Sequence, residues 1–193
     1  MHARRVLVVL SIILMAGTPA WAQRRPERKG LWAGVQVGYG WLDKFSDQEP
    51  HNERGAFALA FNLGGTLNRH VCLGGQINGW LVEAYDPYDP ATGASLSQIF
   101  AIAQVYPWSA RGVFLKLGAG RAIYTNHHPD EFGSSGWGQT LAVGYDWTVS
   151  RRFSLTPTIT YSRGNLGHVD NVLVTVQNRR YRVFDFGIAV AYR

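Results

Sequence analysis

The chain has 193 residues, with 19 Lys and Arg against 13 Asp and Glu and a formal net charge of +6 at pH 7. Its single Cys, Cys72, excludes an internal disulfide. The Arg residues are scattered among turns rather than gathered on one element, which argues against a nucleic-acid surface. No helix-length apolar run follows the N-terminal segment, so any passage through a membrane must use strands. Strands in lipid must in turn close into a barrel to satisfy their backbone groups.

Residues 2–5 are charged or small, and Val6–Gly17 is an apolar run broken only by Ser11. That run is shorter than the roughly 20 residues a spanning helix needs. Ala20-Trp21-Ala22 fits a small-x-small cleavage site, so residues 1–22 read as a cleaved signal peptide and the mature chain is expected to begin at Gln23. No Cys stands directly after that site, where Gln23 is found, so no lipid-modified N-terminus is expected. Residues 23–30 form a short basic periplasmic tail without core-forming residues, and residues 31–193 form one domain.

The domain divides into eight alternating segments. In Leu31–Leu42 one face reads Leu31, Ala33, Val35, Val37, Tyr39, Trp41 and the other Trp32, Gly34, Gln36, Gly38, Gly40. A soluble sheet would bury the first face and cover the second with charge; here the second is small and almost uncharged. The pattern fits an apolar face toward lipid and a small, polar face lining a narrow closed barrel. The second segment, Ala56–Leu67, sets Phe57, Leu59, Phe61 and Leu63 against Ala56, Ala58, Ala60 and Asn62, and Asn68-Arg69 turns the chain. The third, Val71–Glu83, alternates Val71, Leu73, Ile77 and Leu81 with Cys72, Gly74, Gln76, Asn78 and Trp80.

Alternation is weakest in the fourth segment, Leu96–Tyr106, whose faces stay unassigned. The fifth, Gly112–Thr125, opposes Val113, Leu115, Leu117 and Ala119 to Lys116, Gly118, Gly120 and Ala122. The sixth, Trp137–Val149, sets Leu141, Val143, Tyr145, Trp147 and Val149 against Thr140, Ala142, Gly144, Asp146 and Thr148. The seventh, Phe153–Arg163, sets Phe153, Leu155, Ile159 and Tyr161 against Ser154, Thr156, Thr158, Thr160 and Ser162; Pro157 within it predicts a local bulge. A long loop is expected from Gly164, with Val172–Val176 extending the last hairpin beyond the membrane. The eighth carries Phe184, Phe186, Ile188, Val190 and Tyr192 opposite Asp185, Gly187, Ala189 and Ala191.

Long and short connections alternate, as in transmembrane barrels with short periplasmic turns and long outer loops. Each segment reaches the 9–11 residues a tilted span requires. Trp32, Trp41, Tyr106, Trp108, Trp137, Trp147, Tyr161 and Tyr192 stand near strand ends, where an amphipathic ring suits the headgroup level. An even strand count puts both chain ends in the periplasm, where Arg69, Arg111, Arg151 and Arg152 of the short turns form a basic rim.

With these segments, and with the turn-bearing stretch Gln104–Gly120, the chain resembles the small eight-stranded outer-membrane β-barrel family, which includes OmpA-type and OmpX-type barrels. The resemblance implies an all-β, eight-stranded antiparallel up-and-down transmembrane barrel in the outer membrane of a Gram-negative bacterium. It also implies a monomer among outer-membrane lipids and lipopolysaccharide, handled during export by periplasmic chaperones and the barrel-assembly machinery. Such barrels usually end on an aromatic residue that the machinery reads; this chain ends Ala191-Tyr192-Arg193, and Tyr192 is expected to serve.

Lys116, Asp146 and Asp185 are the charges that fall clearly on the small face. Opposite charges in a poorly solvated lumen favour pairing, and Lys116 with Asp146 is the expected pair near the periplasmic end. The sharper alternative, an ion gate, conflicts with a lumen filled by side chains. His127-His128-Pro129-Asp130-Glu131 has metal-ligand residue types but no second cluster, and Glu83, Asp86 and Asp89 lack calcium-loop spacing. Gly34, Gly38, Gly40, Gly118 and Gly120 precede no helix and so form no phosphate loop. Ser162, His168 and Asp170 are the residues of a possible hydrolase triad, and some small outer-membrane barrels are lipid A deacylases or proteases; a triad is recognised by geometry, not by closeness in sequence.

The reading favoured is a structural or surface-interaction role with no enzymatic activity, no cofactor, no metal and no nucleic acid. A narrow pore, a soluble periplasmic lipid-binding barrel and an outer-membrane lipid hydrolase are the rivals.

Overall fold

The computed structural model of the chain describes residues 30–45, 52–82, 94–108, 112–126, 132–170 and 175–192. The expected signal segment 1–22, residues 23–29 of the tail, Arg111, the His127–Glu131 stretch, and Glu83, Asp86 and Asp89 lie outside these residues.

Alternating side chains produce strands because an extended backbone sends successive Cβ atoms to opposite faces. The strands are β1 (Leu31–Phe45), β2 (Asn52–Asn68), β3 (Val71–Val82), β4 (Ala94–Val105), β5 (Val113–Asn126) and β6 (Phe132–Tyr145). β6 is interrupted at Asp146 and resumes as Trp147–Thr148. β7 (Phe153–Asp170) and β8 (Thr175–Tyr192) complete the set. Each pairs antiparallel with its chain neighbour, and β1 pairs with β8 from Ala33↔Tyr192 to Phe45↔Arg180. The sheet therefore closes on itself and has no edge.

Two short turns share the end that carries Leu31 and Tyr192. At Asn68–Val71 the Asn68 carboxamide oxygen accepts the N–H groups of His70 and Val71 at 2.8 and 2.9 Å. At the other, Ser150 Oγ accepts from the Phe153 N–H at 3.2 Å, and the Phe153 carbonyl accepts from Val149 and Ser150, both at 3.0 Å. Small polar side chains at these sites stand in for backbone partners.

Several strand limits differ from the sequence reading. Residues 164–170, expected as a loop, continue β7, and Val169 pairs with Val176 of β8. No bulge occurs at Pro157: its register with Ile188 is regular, and the shifts in that hairpin lie between Asn165 and Val169, at the positive-φ Gly167. The effect of Pro157 falls on the neighbouring strand. The β6–β7 register stops at Gly144↔Thr158 and resumes at Trp147↔Leu155, which sets Tyr145 opposite Pro157. Pro157 has no N–H to give there, and β6 breaks at the next residue.

Phe57, Leu59, Phe61, Leu141, Val143 and Phe184 are exposed on the outer wall, with Phe186 half-buried. Trp41, Phe184 and Phe186 pack together there, Trp41 stacking on Phe184 at a centroid distance of 6.5 Å. β4 reverses the usual size rule. Leu96, Phe100 and Ile102 point inward, while Ser97, Ala101 and Ala103 share the outer face with Ile99. Large residues inside and small ones outside explain the weak alternation.

Trp32 and Tyr106 require a correction. Both are buried in the lumen rather than set at a headgroup belt, because each shares the inward parity of its strand, Trp32 with Gln36 and Tyr106 with Gln104. Trp108, Trp147 and Tyr192 are exposed at or just past strand ends and Trp41 is half-buried, whereas Trp137, expected to begin its strand, is exposed five residues inside β6. Arg69, Arg151 and Arg152 are exposed at the end that carries Leu31 and Tyr192.

Candidate functional site

Two apolar clusters fill the lumen. Near the end that carries Leu31 and Tyr192, Trp32, Cys72, Phe100, Ile102, Tyr106 and Phe114 pack together. Toward the opposite end, Trp80, Leu42, Leu96, Tyr124, Leu166, Tyr181 and Val183 form a second cluster with small neighbours such as Ala58 and Ala122. The rings fit because glycine faces them. A Cβ on Gly138 would run into the Tyr181 hydroxyl, one on Gly164 into the Trp137 carbonyl and the Tyr181 side chain, and one on Gly144 into Phe114.

A polar layer accompanies these plugs. Gln104 Nε2 donates to Tyr106 Oη at 2.7 Å, Tyr106 donates to Asp146 Oδ2 at 2.7 Å, and Thr156 Oγ1 donates to Asp146 Oδ1 at 2.9 Å. Lys116 and Asp185, both almost fully buried, lie in each other's field, and Thr160 hydrogen-bonds the Asp185 carboxylate. Lys116 and Asp146 line one cavity of about 30 Å³ together with Gln36, Asn62 and Thr158. That volume holds about one water. The three expected charges are thus brought into one lumen, with Asp185 an electrostatic partner of Lys116 and Asp146 held by two hydroxyls.

Sequence reasoning missed the amides. Four inward carboxamide oxygens, those of Asn62, Gln76, Asn78 and Gln98, have no protein hydrogen-bond partner. They are contiguous, since Asn62 pairs with Gln76 across β2–β3 and Asn78 with Gln98 across β3–β4. Gln98 also donates to Tyr181 Oη at 2.8 Å, tying this row to the second plug. The signal was present as Gln and Asn at inward parity, but composition alone does not say which atoms find partners.

The triad residues are not assembled as a site among the described side chains. Ser162 is fully buried, and its hydroxyl donates to Thr140 Oγ1 at 3.0 Å. The His168 and Asp170 side chains lie outside the described residues.

No family model matches the sequence, nor does any curated protein sequence. Solved structures do match. Neisserial surface protein A aligns over 82% of this chain and 96% of its own, with a TM-score of 0.55 and 18% identity. Ail, the attachment invasion locus protein of Yersinia pestis, aligns over 84% and 99%, with a TM-score of 0.53 and 10% identity. The outer membrane protein AlkL, solved in lipid bilayers, aligns over 91% and 95%, with a TM-score of 0.51 and 10% identity. At these identities the likeness is one of architecture. Closed eight-stranded topology, an apolar outer wall and these alignments agree: the chain has the fold of the small outer-membrane β-barrels.

Proposed function

We propose that this chain is an integral outer-membrane protein that neither conducts ions nor catalyses a reaction. It acts as a structural or surface-interaction element through its outer wall and outer loops, and both chain ends face the periplasm. The observation that carries the reading is the filled lumen, with two apolar clusters inside it, Trp32 and Phe114 of one of them lining the small cavity shared by Lys116 and Asp146. A small barrel filled this way leaves no aqueous path. The burial of Ser162 against Thr140 supports the absence of a hydrolase centre. The orientation is supported by the two short turns lying at the end with Leu31 and Tyr192, since such barrels keep short turns periplasmic. The surface role is supported by the names of Neisserial surface protein A and of the attachment protein Ail.

Purified protein in a planar bilayer tests the reading. Silent membranes are expected at wild-type sequence; regular unitary openings would establish the narrow pore instead. A companion measurement tests membrane residence. The mature protein is expected to need detergent or lipid and to shift its mobility in SDS on boiling. Recovery as a soluble monomer without detergent would favour the soluble periplasmic barrel.

A further inference from the structure

The outer wall carries a concentration of arginine that neither the plugged lumen nor the strand pattern requires. Arg121 of β5, Arg163 of β7, and Arg180 and Arg182 of β8 are all exposed on the outward parity, toward the end away from Leu31 and Tyr192. Across adjacent strands Gln139 stands opposite Arg163, and Arg163 opposite Arg182. One outward step further, Trp137 stands between Arg121 and Asn165, and Asn165 opposite Arg180. Like charges directly opposite on one sheet face repel. Asp43 of β1 stands opposite Arg182 and Glu53 of β2 opposite Asp43, two carboxylates against the four arginines, so a positive excess remains among the described residues.

The arginines begin one outward step past Tyr161 and Phe184, where the aromatic edge of the apolar wall ends. Arg163, Arg180 and Arg182 line a hollow of about 460 Å³ with Trp137, Gln139 and Asn165. This hollow shares Ala119, Gln139, Tyr161 and Arg163 with a second groove of about 680 Å³ that runs down the wall. The groove reaches Leu73, just past the Asn68–Val71 turn at the opposite end of the barrel. It exists because Ala101, Ala103 and Ala119 stand where other outward positions hold Leu, Ile or Phe.

We propose that this face is a binding site for a phosphorylated acyl lipid. The phosphate sits among Arg163, Arg180 and Arg182, and one acyl chain lies in the groove over Ala101, Ala103 and Ala119. Guanidinium groups bind phosphate through paired N–H donors. An occupant meeting arginine above and an apolar channel below must be anionic at its head and saturated with hydrocarbon beneath. With the orientation proposed above, on which this assignment of leaflet rests, the ligand is an outer-leaflet glycolipid bearing phosphate monoesters, of the lipid A type.

Native mass spectrometry of the refolded, heat-modifiable protein in detergent tests the site without reference to sidedness. The probes are bis-phosphorylated lipid A, the same lipid dephosphorylated, and sucrose octasulfate as a chain-free polyanion. Wild type is expected to retain phosphorylated lipid A and to bind the dephosphorylated form weakly. The R163Q/R180Q/R182Q variant is expected to lose more than about tenfold in affinity, as three surface cations removed from an anionic lipid should cost. Ala101→Leu with Ala119→Leu, which fills the groove, is expected to weaken lipid A binding and to leave binding of the polyanion unchanged. Equal retention by wild type and the arginine variant overturns the site. Polyanion binding that matches lipid A and ignores the groove variant overturns the lipid assignment in favour of a soluble polyanion. Labelling of an Arg69→Cys variant in intact cells reports orientation separately, so a wrong leaflet is distinguishable from a wrong site.

Discussion

Tyr106 gives its phenolic hydrogen to Asp146 Oδ2 at 2.7 Å, reaching from the end of β4 beneath β5 to the break in β6. The bond explains how the barrel tolerates Pro157. The register leaves Asp146 opposite Thr156, next to the position where Pro157 supplies no N–H. Thr156 and Tyr106 both donate to Asp146, whose own N–H goes to the Gly112 carbonyl at 2.9 Å. Side-chain bonds thus bridge a gap in the ladder, and Phe114 packs on the Tyr106 ring at 5.6 Å.

Tyr106→Phe keeps that ring packing and removes one donor from a buried carboxylate. It is expected to cost about 2 kcal/mol, the range for a hydrogen bond to a charged group. Urea titration in lipid vesicles measures it. In an Asp146→Asn background the same change should cost clearly less, and equal costs in both backgrounds would deny the bond a role.

The closeness of Gly138 to Tyr181 gives a second expectation. A Cβ at position 138 would collide with the Tyr181 hydroxyl and come near the Phe100 ring. Gly138→Ala should therefore destabilise by about 1–3 kcal/mol, as overpacking does. Tyr181→Phe removes the oxygen and should recover part of that loss in the double variant. Additive effects of the two substitutions would show that the clash is relieved elsewhere.

The two faces should respond unequally to polarity. Leu59 and Val143 are about half exposed on the outer wall, at 52% and 50%, whereas Ala58 is 6% exposed and points into the lumen. Leu59→Arg or Val143→Arg should cost about 2–4 kcal/mol if that wall meets the bilayer midplane. Ala58→Ser should cost about 1 kcal/mol or less, since a hydroxyl can find a lumen partner. Folding yields into vesicles compare them, and similar losses at all three sites would mean that the outer wall does not face lipid.

Much of this was legible in the sequence because one rule, parity along a strand, decides both the element and its face. It worked for β1, β2, β3 and β5, where the side chains of each parity class differ clearly in size. It gave nothing for β4, because Phe100 and Ile102 go inward and Ala101 and Ala103 outward. Nearness to strand ends placed Trp32 and Tyr106 at a lipid interface, although parity already turned Trp32 inward; Tyr106 belongs to the segment where parity decided nothing. The closing contacts of the lumen depend on tilt and stagger, which bring Gln98 to Tyr181 across 83 positions of sequence. Periodicity within one strand contains no information on that distance.

Lys116 and Asp185 provide the last expectation. Both are nearly fully buried, 4% and 2% exposed, and each lies in the field of the other from β5 and β8. A lone charge in such a site lacks both water and its counter-charge, so removing one partner costs more than removing both. Lys116→Met and Asp185→Asn are each expected to destabilise by about 3–5 kcal/mol, and the double variant by less than their sum. Asp146 lines the same cavity as Lys116, so Asp146→Asn belongs in a parallel cycle with Lys116→Met. If Asp185 is the dominant partner, its coupling energy exceeds that of Asp146 when both cycles are read as unfolding free energies in vesicles. Strict additivity in the Asp185 cycle would mean that the field between the two groups is screened inside the lumen. A larger coupling to Asp146 would restore the pairing that the sequence alone suggested.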